Sequence, residues 1–299
     1  GLNRRSVAVV PTLRPDVLVA ERATLAEGPL WDLDTATLHW VDIEERAIRS
    51  LGTDGIVDER RVPDKPGCVA LDVDGHFVVG FPDGVWVATD HGWERLVALD
   101  ADDPTIRLND GKVAPDGRLV VGSMVEDQAT RRGRLWSVGA DGEAVALLDR
   151  VAVSNGLAWS ADGGTFFYID TPSRKVRRWP WTGDGPLDGE GEVVVRVPND
   201  VGFPDGMAID DEGCLWVAIW GGSAVHRYTP EGDLDTVVEV PTARVSSCAF
   251  AGPGLTTLVI TTASVDLAGP ALATDPHAGQ VFAVEAGVSG PPPRRFGHP

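Results

Sequence analysis

The sequence has little of what marks secreted, membrane-bound or nucleic-acid-binding proteins. Its three cysteines, Cys68, Cys214 and Cys248, are an odd number in apolar segments, which argues against a disulfide framework and predicts buried, reduced thiols. Positive charge is scarce, because 26 Lys and Arg stand against 45 Asp and Glu, a formal net charge of -19. Such a surface repels nucleic acid and anionic membranes. We expect a cytoplasmic monomer or small homo-oligomer whose partners are cations or neutral small molecules.

Long apolar runs and familiar catalytic motifs are also missing. Arg4 and Arg5 precede only "SVAVV" before Pro11, which is too short for a signal peptide or a membrane span. We therefore expect no secretion signal in this segment. There is no H-E-x-x-H zinc motif, G-x-S-x-G elbow or Walker loop. The six histidines are scattered singly, and only His226 could lie near a site.

The sequence does contain one β-type unit that is repeated six times. Each copy has a short apolar strand, a turn and a second apolar strand, and the copies open at Gly28, Gly67, Gly111, Gly156, Gly206 and Ser247. The spacings of 39, 44, 45, 50 and 41 residues are typical of four-stranded propeller blades.

The repeat predicts an all-β fold, a six-bladed β-propeller that forms a single domain over residues 1–299. A strand at about residues 16–24 would close the last blade, and residues 288–299 would form an irregular tail over the surface. A β-sandwich or two smaller β domains are the alternatives, but neither explains a sixfold repeat.

The repeats differ at one informative position, the residue immediately before the opening glycine or serine. This position holds Glu27, Pro66, Asp110, Asn155, Asp205 and Ser246. The innermost strands of a propeller line one channel, so carboxylates converging there would repel one another unless a cation lay among them. Oxygen donors without His or Cys favour Ca²⁺, Mg²⁺ or Mn²⁺, with Zn²⁺ less natural. The register therefore predicts a divalent metal site in the central channel.

Asp-Gly and Asn-Gly pairs are also common turn formers. Four pairs lie between two strands of a repeat and are predicted to be hairpin turns: Asp74-Gly75, Asp116-Gly117, Asp141-Gly142 and Asp162-Gly163. Asn155 and Asp205 instead precede the first strand of a repeat, level with Glu27. A glutamate at that position is not explained by turn formation.

Several long motifs resemble the gluconolactonase/regucalcin group, the senescence marker protein family of sugar-lactone lactonases, from about Leu25 to Val284. They are "AEGPLW", "RLNDGKVAPDGRLVVGSM", "SNGLAWSADG", "PDGMAIDDEGCLWVAIWGG" and "SSCAFAGPG". The resemblance implies a six-bladed propeller with one catalytic divalent metal held by Glu27, Asn155 and Asp205. These are three of the four donors that the repeat comparison selects.

The same resemblance implies substrate contacts and a reaction. Arg107 and Asn109 would bind sugar hydroxyl and carbonyl groups, as would an acidic residue matching Asp127, with Glu126 beside it. Asp110 would bind a metal-associated water or a second ion.

The implied reaction is hydrolysis of an aldonolactone to its open-chain acid, with Ca²⁺, Mg²⁺, Mn²⁺ or Zn²⁺ as Lewis acid on the carbonyl. Asp205 is the catalytic candidate, either as general base or only as a ligand that orients water. A non-catalytic calcium-binding regulatory propeller is one alternative. A metal-dependent propeller hydrolase of the paraoxonase or phosphotriesterase type is another, and "RLNDGK" favours sugar lactones over it.

Overall fold

The computed structural model describes residues 10–128, 130–183 and 185–297. The segment containing Arg4 and Arg5, where no secretion signal is expected, lies outside these residues, as does His298. The described chain forms 25 strands, one α-helix, α1 (Pro270–Thr274), and a 3-10 turn at Thr171–Ser173. No helix in these ranges is long and apolar enough to cross a membrane.

The strands form six sheets around one axis, which confirms the predicted six-bladed β-propeller. The first two strands of the chain are β1 (Thr12–Leu13) and β2 (Asp16–Val19). Blade 1 contains β3 (Ala26–Asp32), β4 (Thr37–Asp42), β5 (Ala47–Leu51) and β6 (Val57–Arg61). Blade 2 contains β7 (Cys68–Leu71), β8 (Phe77–Phe81), β9 (Gly84–Thr89) and β10 (Gly92–Ala98). Blade 3 contains β11 (Ile106–Val113), β12 (Leu119–Val125), β13 (Gly133–Val138) and β14 (Ala144–Val151).

The second half of the chain repeats this pattern. Blade 4 contains β15 (Ser154–Trp159), β16 (Thr165–Asp170), β17 (Lys175–Pro180) and β18 (Glu192–Arg196). Blade 5 contains β19 (Phe203–Ile209), β20 (Leu215–Trp220), β21 (Ala224–Tyr228) and β22 (Leu234–Glu239). Blade 6 contains β23 (Val245–Ala251), β24 (Thr257–Thr262) and β25 (Val281–Glu285). The first strand of every blade is innermost, since these six strands contact one another around the axis.

The N-terminal strands complete the last two blades. β2 pairs antiparallel with β25, so blade 6 combines both ends of the chain. This strand stops at Val19, earlier than the sequence suggests. β1, which the sequence did not predict, adds to blade 5 by pairing in parallel with β22. Such closure covers strand edges that would otherwise be free to pair with other chains.

The core lies between blades. β20, "LWVAIW", is buried at every position up to Ile219, because both faces of the sheet are covered by the neighbouring blades. Trp216 of this strand is fully buried and meets Phe250 of blade 6 edge-on, with ring centroids 5.9 Å apart. Burying a side chain of this size stabilises the fold by about 2–3 kcal/mol. Cys68, Cys214 and Cys248 are free and buried, as predicted.

The four hairpin turns predicted at Asp-Gly pairs are confirmed. Their glycines all have positive φ: 85° at Gly75, 78° at Gly117, 82° at Gly142 and 72° at Gly163. The expectation that the whole tail stays on the surface is wrong at Phe296, which is 4% exposed and donates its backbone N–H to Leu71 O. Apolar contact with the blade 2 and blade 3 core holds this ring in place, and the preceding prolines gave no sign of it.

Candidate metal and substrate site

The predicted donors lie inside the inner strands rather than before them, which corrects the sequence prediction. Glu27 is in β3, Asp110 in β11, Asn155 in β15 and Asp205 in β19. At each of these places the pairing with the second strand of the blade shifts register, between Glu27 and Leu30, Leu108 and Gly111, Asn155 and Leu157, and Pro204 and Met207. Such a β-bulge re-aims a side chain out of regular alternation. The Asp-Gly and Asn-Gly pairs at this register are therefore parts of bulges.

Three of the glycines after these donors, Gly111, Gly156 and Gly206, are required by the close approach of neighbouring inner strands, whereas Gly28 has a positive φ of 54° and no such close neighbour. A Cβ on Gly206 would lie 2.1 Å from Ser247 Oγ, and one on Gly156 would lie 2.8 Å from Asp205 O. Neither distance is compatible with a side chain. At Gly111, Gly156 and Gly206 the donor-glycine dipeptide thus reflects the packing of one blade against the next.

Three carboxyl groups converge on the axis. Glu27, Asp110 and Asp205 are 7%, 7% and 8% exposed. Burial raises the pKa of Glu27 to about 8, and the Asp110 carboxylate adds to this increase. Burial also raises the pKa of Asp205 well above its ordinary value, reinforced by repulsion from Glu27 and Asp110. The three groups are therefore within electrostatic reach of one another, as the repeat register predicts.

A hydrogen-bond network orients the amide of Asn155. Asn109 Nδ2 donates to Asn155 Oδ1 at 3.1 Å, and Asn155 Nδ2 donates to Thr171 Oγ1 at 2.8 Å. The Thr171 hydroxyl in turn donates to Pro204 O at 2.9 Å, next to Asp205. Sequence reasoning missed Thr171, because it lies in a turn after the second strand of blade 4, away from the compared register.

The predicted substrate-binding residues lie beside this group. The Arg107 guanidinium is buried and donates to Asn109 Oδ1 at 2.6 Å, while its Nε lies 3.4 Å from Glu126 Oε1. Of the two acidic neighbours after β12, Glu126 reaches Arg107, and Asp127 is an exposed residue of the same turn. The role of Asp127 stays a prediction.

The donor set fits a hard divalent cation. Among the described residues, the buried Asp205 Oδ1 has no hydrogen-bond partner. Leaving such an atom buried and unsatisfied is costly, and three mutually repelling carboxyl groups add to this cost. Carboxylate and amide oxygens are the ligands that Ca²⁺, Mg²⁺ and Mn²⁺ prefer.

The other acidic groups of the described chain are less suited to this role. Asp72, Asp74 and His76 cluster in the blade 2 hairpin, where both Asp72 oxygens accept hydrogen bonds from within the turn. In a second cluster Asp210 accepts bonds from Trp216 and Arg227. His226 lies on the third strand of blade 5 against the Tyr228 hydroxyl, so it does not join the axial group.

The fold and the site define a six-bladed propeller with buried oxygen donors on its axis. The chain matches the family model described as the SMP-30/Gluconolactonase/LRE-like region over residues 25–264, and it belongs to that family. The family inferred from the motifs is thereby confirmed.

Individual relatives match over nearly the whole chain. Regucalcin of Gallus gallus is 35% identical over 289 residues, covering 93% of this chain and 96% of the relative. The 6-deoxy-6-sulfogluconolactonase of Pseudomonas putida is 33% identical over 276 residues, covering 91% and 95%. A solved structure of a calcium-binding protein, regucalcin, from Agrobacterium tumefaciens superposes with a TM-score of 0.91 at 28% identity, covering 96% of this chain and 99% of that one.

Proposed function

We propose that the protein hydrolyses a sugar lactone to the open-chain aldonic acid, with one divalent cation held by Glu27, Asn155 and Asp205. The observation that carries this proposal is the buried axial group itself, in which Asp205 Oδ1 lacks a partner among the described residues. Membership of the SMP-30/gluconolactonase family, and similarity to a 6-deoxy-6-sulfogluconolactonase, support the reaction class.

The chain's own residues divide the work between activating water and holding the sugar. When bound, a divalent cation supplies Lewis-acid polarisation of the lactone carbonyl and keeps its carboxylate ligands ionised. Asp205 accepts a proton from the attacking water or orients that water. The water oxygen bonds to the carbonyl carbon, the bond to the ring oxygen breaks, and the departing ring oxygen takes up the proton removed from the water and leaves as a hydroxyl. The new carboxylic acid then releases one proton to solvent.

Arg107 and Asn109 position the substrate. Asn109 is fixed by Arg107 on one side and by Ser154 O on the other, at 2.6 and 2.7 Å, so its amide cannot turn freely. Both Nδ2 hydrogens of Asn109 are used by Ser154 O and Asn155 Oδ1, so Oδ1 is the atom left to accept from a sugar hydroxyl. A pre-oriented acceptor of this kind lowers the entropy lost when the hydroxyl is bound. Asp127 is proposed as a further substrate contact, and Asp110 as an accessory group that bonds to water beside the cation.

Cation add-back tests the proposal. Protein stripped with chelator is returned to Ca²⁺, Mg²⁺, Mn²⁺ or Zn²⁺, and acid release is followed on a panel of sugar lactones. We expect cation-dependent acceleration on at least one lactone. Cation binding with only spontaneous hydrolysis on every lactone would instead favour a calcium-binding regulator. This second candidate is supported by the similarity to the calcium-binding protein of Agrobacterium tumefaciens.

We also propose that the six blades act as a single domain in the cytoplasm, as a monomer or small homo-oligomer. The three free buried thiols are typical of a reducing compartment. The excess of negative charge makes nucleic acid and anionic membranes unfavourable partners.

A further inference from the structure

Four charged side chains line one side of the channel end at which the inner strands begin. Lys65 Nζ lies 3.1 Å from Glu44 Oε2 and 3.4 Å from Glu126 Oε1. The same Glu126 oxygen lies 3.4 Å from Arg107 Nε. We name these four residues the rim quartet: Glu44, Lys65, Glu126 and Arg107.

Three members of the rim quartet lie in loops, and the fourth, Arg107, lies in β11. Glu44 lies in the turn after β4, Lys65 in the connection from blade 1 to blade 2, and Glu126 in the turn after β12. Lys65 stands between Asp64, whose Oδ1 accepts the Lys65 backbone N–H at 2.8 Å, and Pro66, which restricts the backbone. The lysine is therefore presented from a constrained loop, with its side chain 24% exposed.

The quartet connects directly to the axial group. Arg107 bonds to Asn109, and Asn109 bonds to Asn155. A lactone whose carbonyl lies at Asn155 and Asp205 and whose hydroxyls contact Arg107 would extend its far end towards Lys65 and Glu126. These two residues thus face the part of the sugar that is remote from the reaction.

The charges of the quartet cancel, since two cations face two carboxylates. A neutral polyol finds donors on Lys65 and Arg107 and acceptors on Glu44 and Glu126. An anionic group in the same place would lie beside two carboxylates, and both cations of the quartet are already paired with those carboxylates. Juxtaposed like charges disfavour binding.

We propose that the rim quartet, with Lys65 as a specificity residue, restricts the site to neutral polyhydroxylated lactones and disfavours lactones with an anionic group at the carbon farthest from the carbonyl. This inference rests on the proposed function for the orientation of the ligand. The sulfonated lactone in the name of the Pseudomonas putida relative belongs to the disfavoured class. No role was assigned to Lys65 from the sequence.

The test is binding rather than turnover. Glucono-1,5-lactam, which lacks the ester, and the same lactam with a sulfonate at carbon 6 are titrated calorimetrically into the Ca²⁺-saturated protein. We expect the neutral lactam to bind at least about tenfold more tightly, the scale of one unfavourable charge contact. Lys65→Met should lower the affinity for the neutral lactam several-fold. Lys65→Arg should keep the wild-type affinity, since arginine retains the charge and the hydrogen-bond donors.

Glu126→Gln is the decisive variant, because it leaves Lys65 and Arg107 with one carboxylate fewer. This variant should bind the sulfonated lactam about tenfold more tightly than wild type does. Glu45→Gln is the matched control: it removes the same charge from the residue next to Glu44 in the turn after β4, where Glu45 contacts Thr24 and Arg61, and should change neither affinity. Urea midpoints of all variants check that the fold is intact.

Equal binding of the two lactams by wild type, or an unchanged preference in Glu126→Gln, would overturn the inference. Hydrolysis of gluconolactone is measured separately. A neutral preference without hydrolysis would remove the lactonase proposal and leave the inference standing. Hydrolysis of gluconolactone without a preference for the neutral lactam would support the lactonase proposal and remove the inference about the rim quartet.

Discussion

Replacing Glu27 by glutamine should stabilise the cation-free protein at alkaline pH. The pKa of this carboxyl is raised from 4.5 to about 8 by burial and by the Asp110 carboxylate. The folded state therefore binds a proton that the unfolded state releases, so stability is greatest below about pH 4.5 and falls as pH rises through about 8. Glutamine has nearly the same shape and no charge to desolvate.

The magnitude follows from the pKa. Since a tenfold change in a protonation constant corresponds to about 1.4 kcal/mol, the rise from 4.5 to about 8 makes ionising Glu27 cost on the order of 5 kcal/mol more in the folded apo protein than in the unfolded chain. The free-energy difference between Glu27→Gln and wild type should be near zero at pH 5 and approach this value at pH 9. In a thermal experiment this corresponds to roughly 5 °C or more for a chain of this size.

Urea unfolding in chelator, repeated between pH 5 and pH 9, measures the difference. Glu45→Gln again serves as control, because Glu45 is exposed, and its difference from wild type should stay flat. Added Ca²⁺ should reverse the order at pH 9, stabilising wild type and leaving Glu27→Gln unchanged, since a ligand is lost. A variant no more stable than wild type at pH 9, or an offset independent of pH, would refute the reasoning.

Three further outcomes are expected. Gly206→Ala should destabilise the fold by roughly 3 kcal/mol or more, measured by urea unfolding, because its Cβ would lie 2.1 Å from Ser247 Oγ; an unchanged midpoint would contradict the role given to this glycine. Thr171→Val should weaken cation affinity by about tenfold in calorimetry, since the Asn155 amide loses its 2.8 Å partner, and wild-type affinity would show that this bond is not needed. Arg295→Ala should lower the free energy of unfolding by about 1 kcal/mol through loss of its blade 1 ion pairs, with lactone turnover unchanged; reduced turnover would implicate the tail in the site.

The six-bladed fold could be predicted because the blade is written into the sequence six times at nearly constant spacing. The convergence of Glu27, Asp110, Asn155 and Asp205 could be predicted because equivalent positions of the repeats share one axis. Hairpin glycines such as Gly75 and bulge glycines such as Gly206 occupy different positions within the repeat. This position distinguishes a turn from a site residue in the sequence.

Features that depend on contacts between repeats could not be predicted. The donors lie inside strands because of β-bulges, and a bulge at Asp205 has the same local sequence as a turn. Thr171 and Lys65 reach the site from a turn and a connection that lie outside the register compared across the repeats. The burial of Phe296 depends on contact with the apolar core of blades 2 and 3, which no local pattern in the tail describes.

Acid release from glucono-1,5-lactone by wild type and Asp205→Asn tests the central claim most directly. The account predicts rapid release by wild type with cation, the spontaneous rate after chelation, and recovery on add-back. Asp205→Asn, folded by its urea midpoint, should stay at the spontaneous rate throughout. Wild-type turnover by Asp205→Asn, or turnover by wild type that chelation does not reduce, would contradict the assignment of Asp205 and its neighbours to a catalytic metal site.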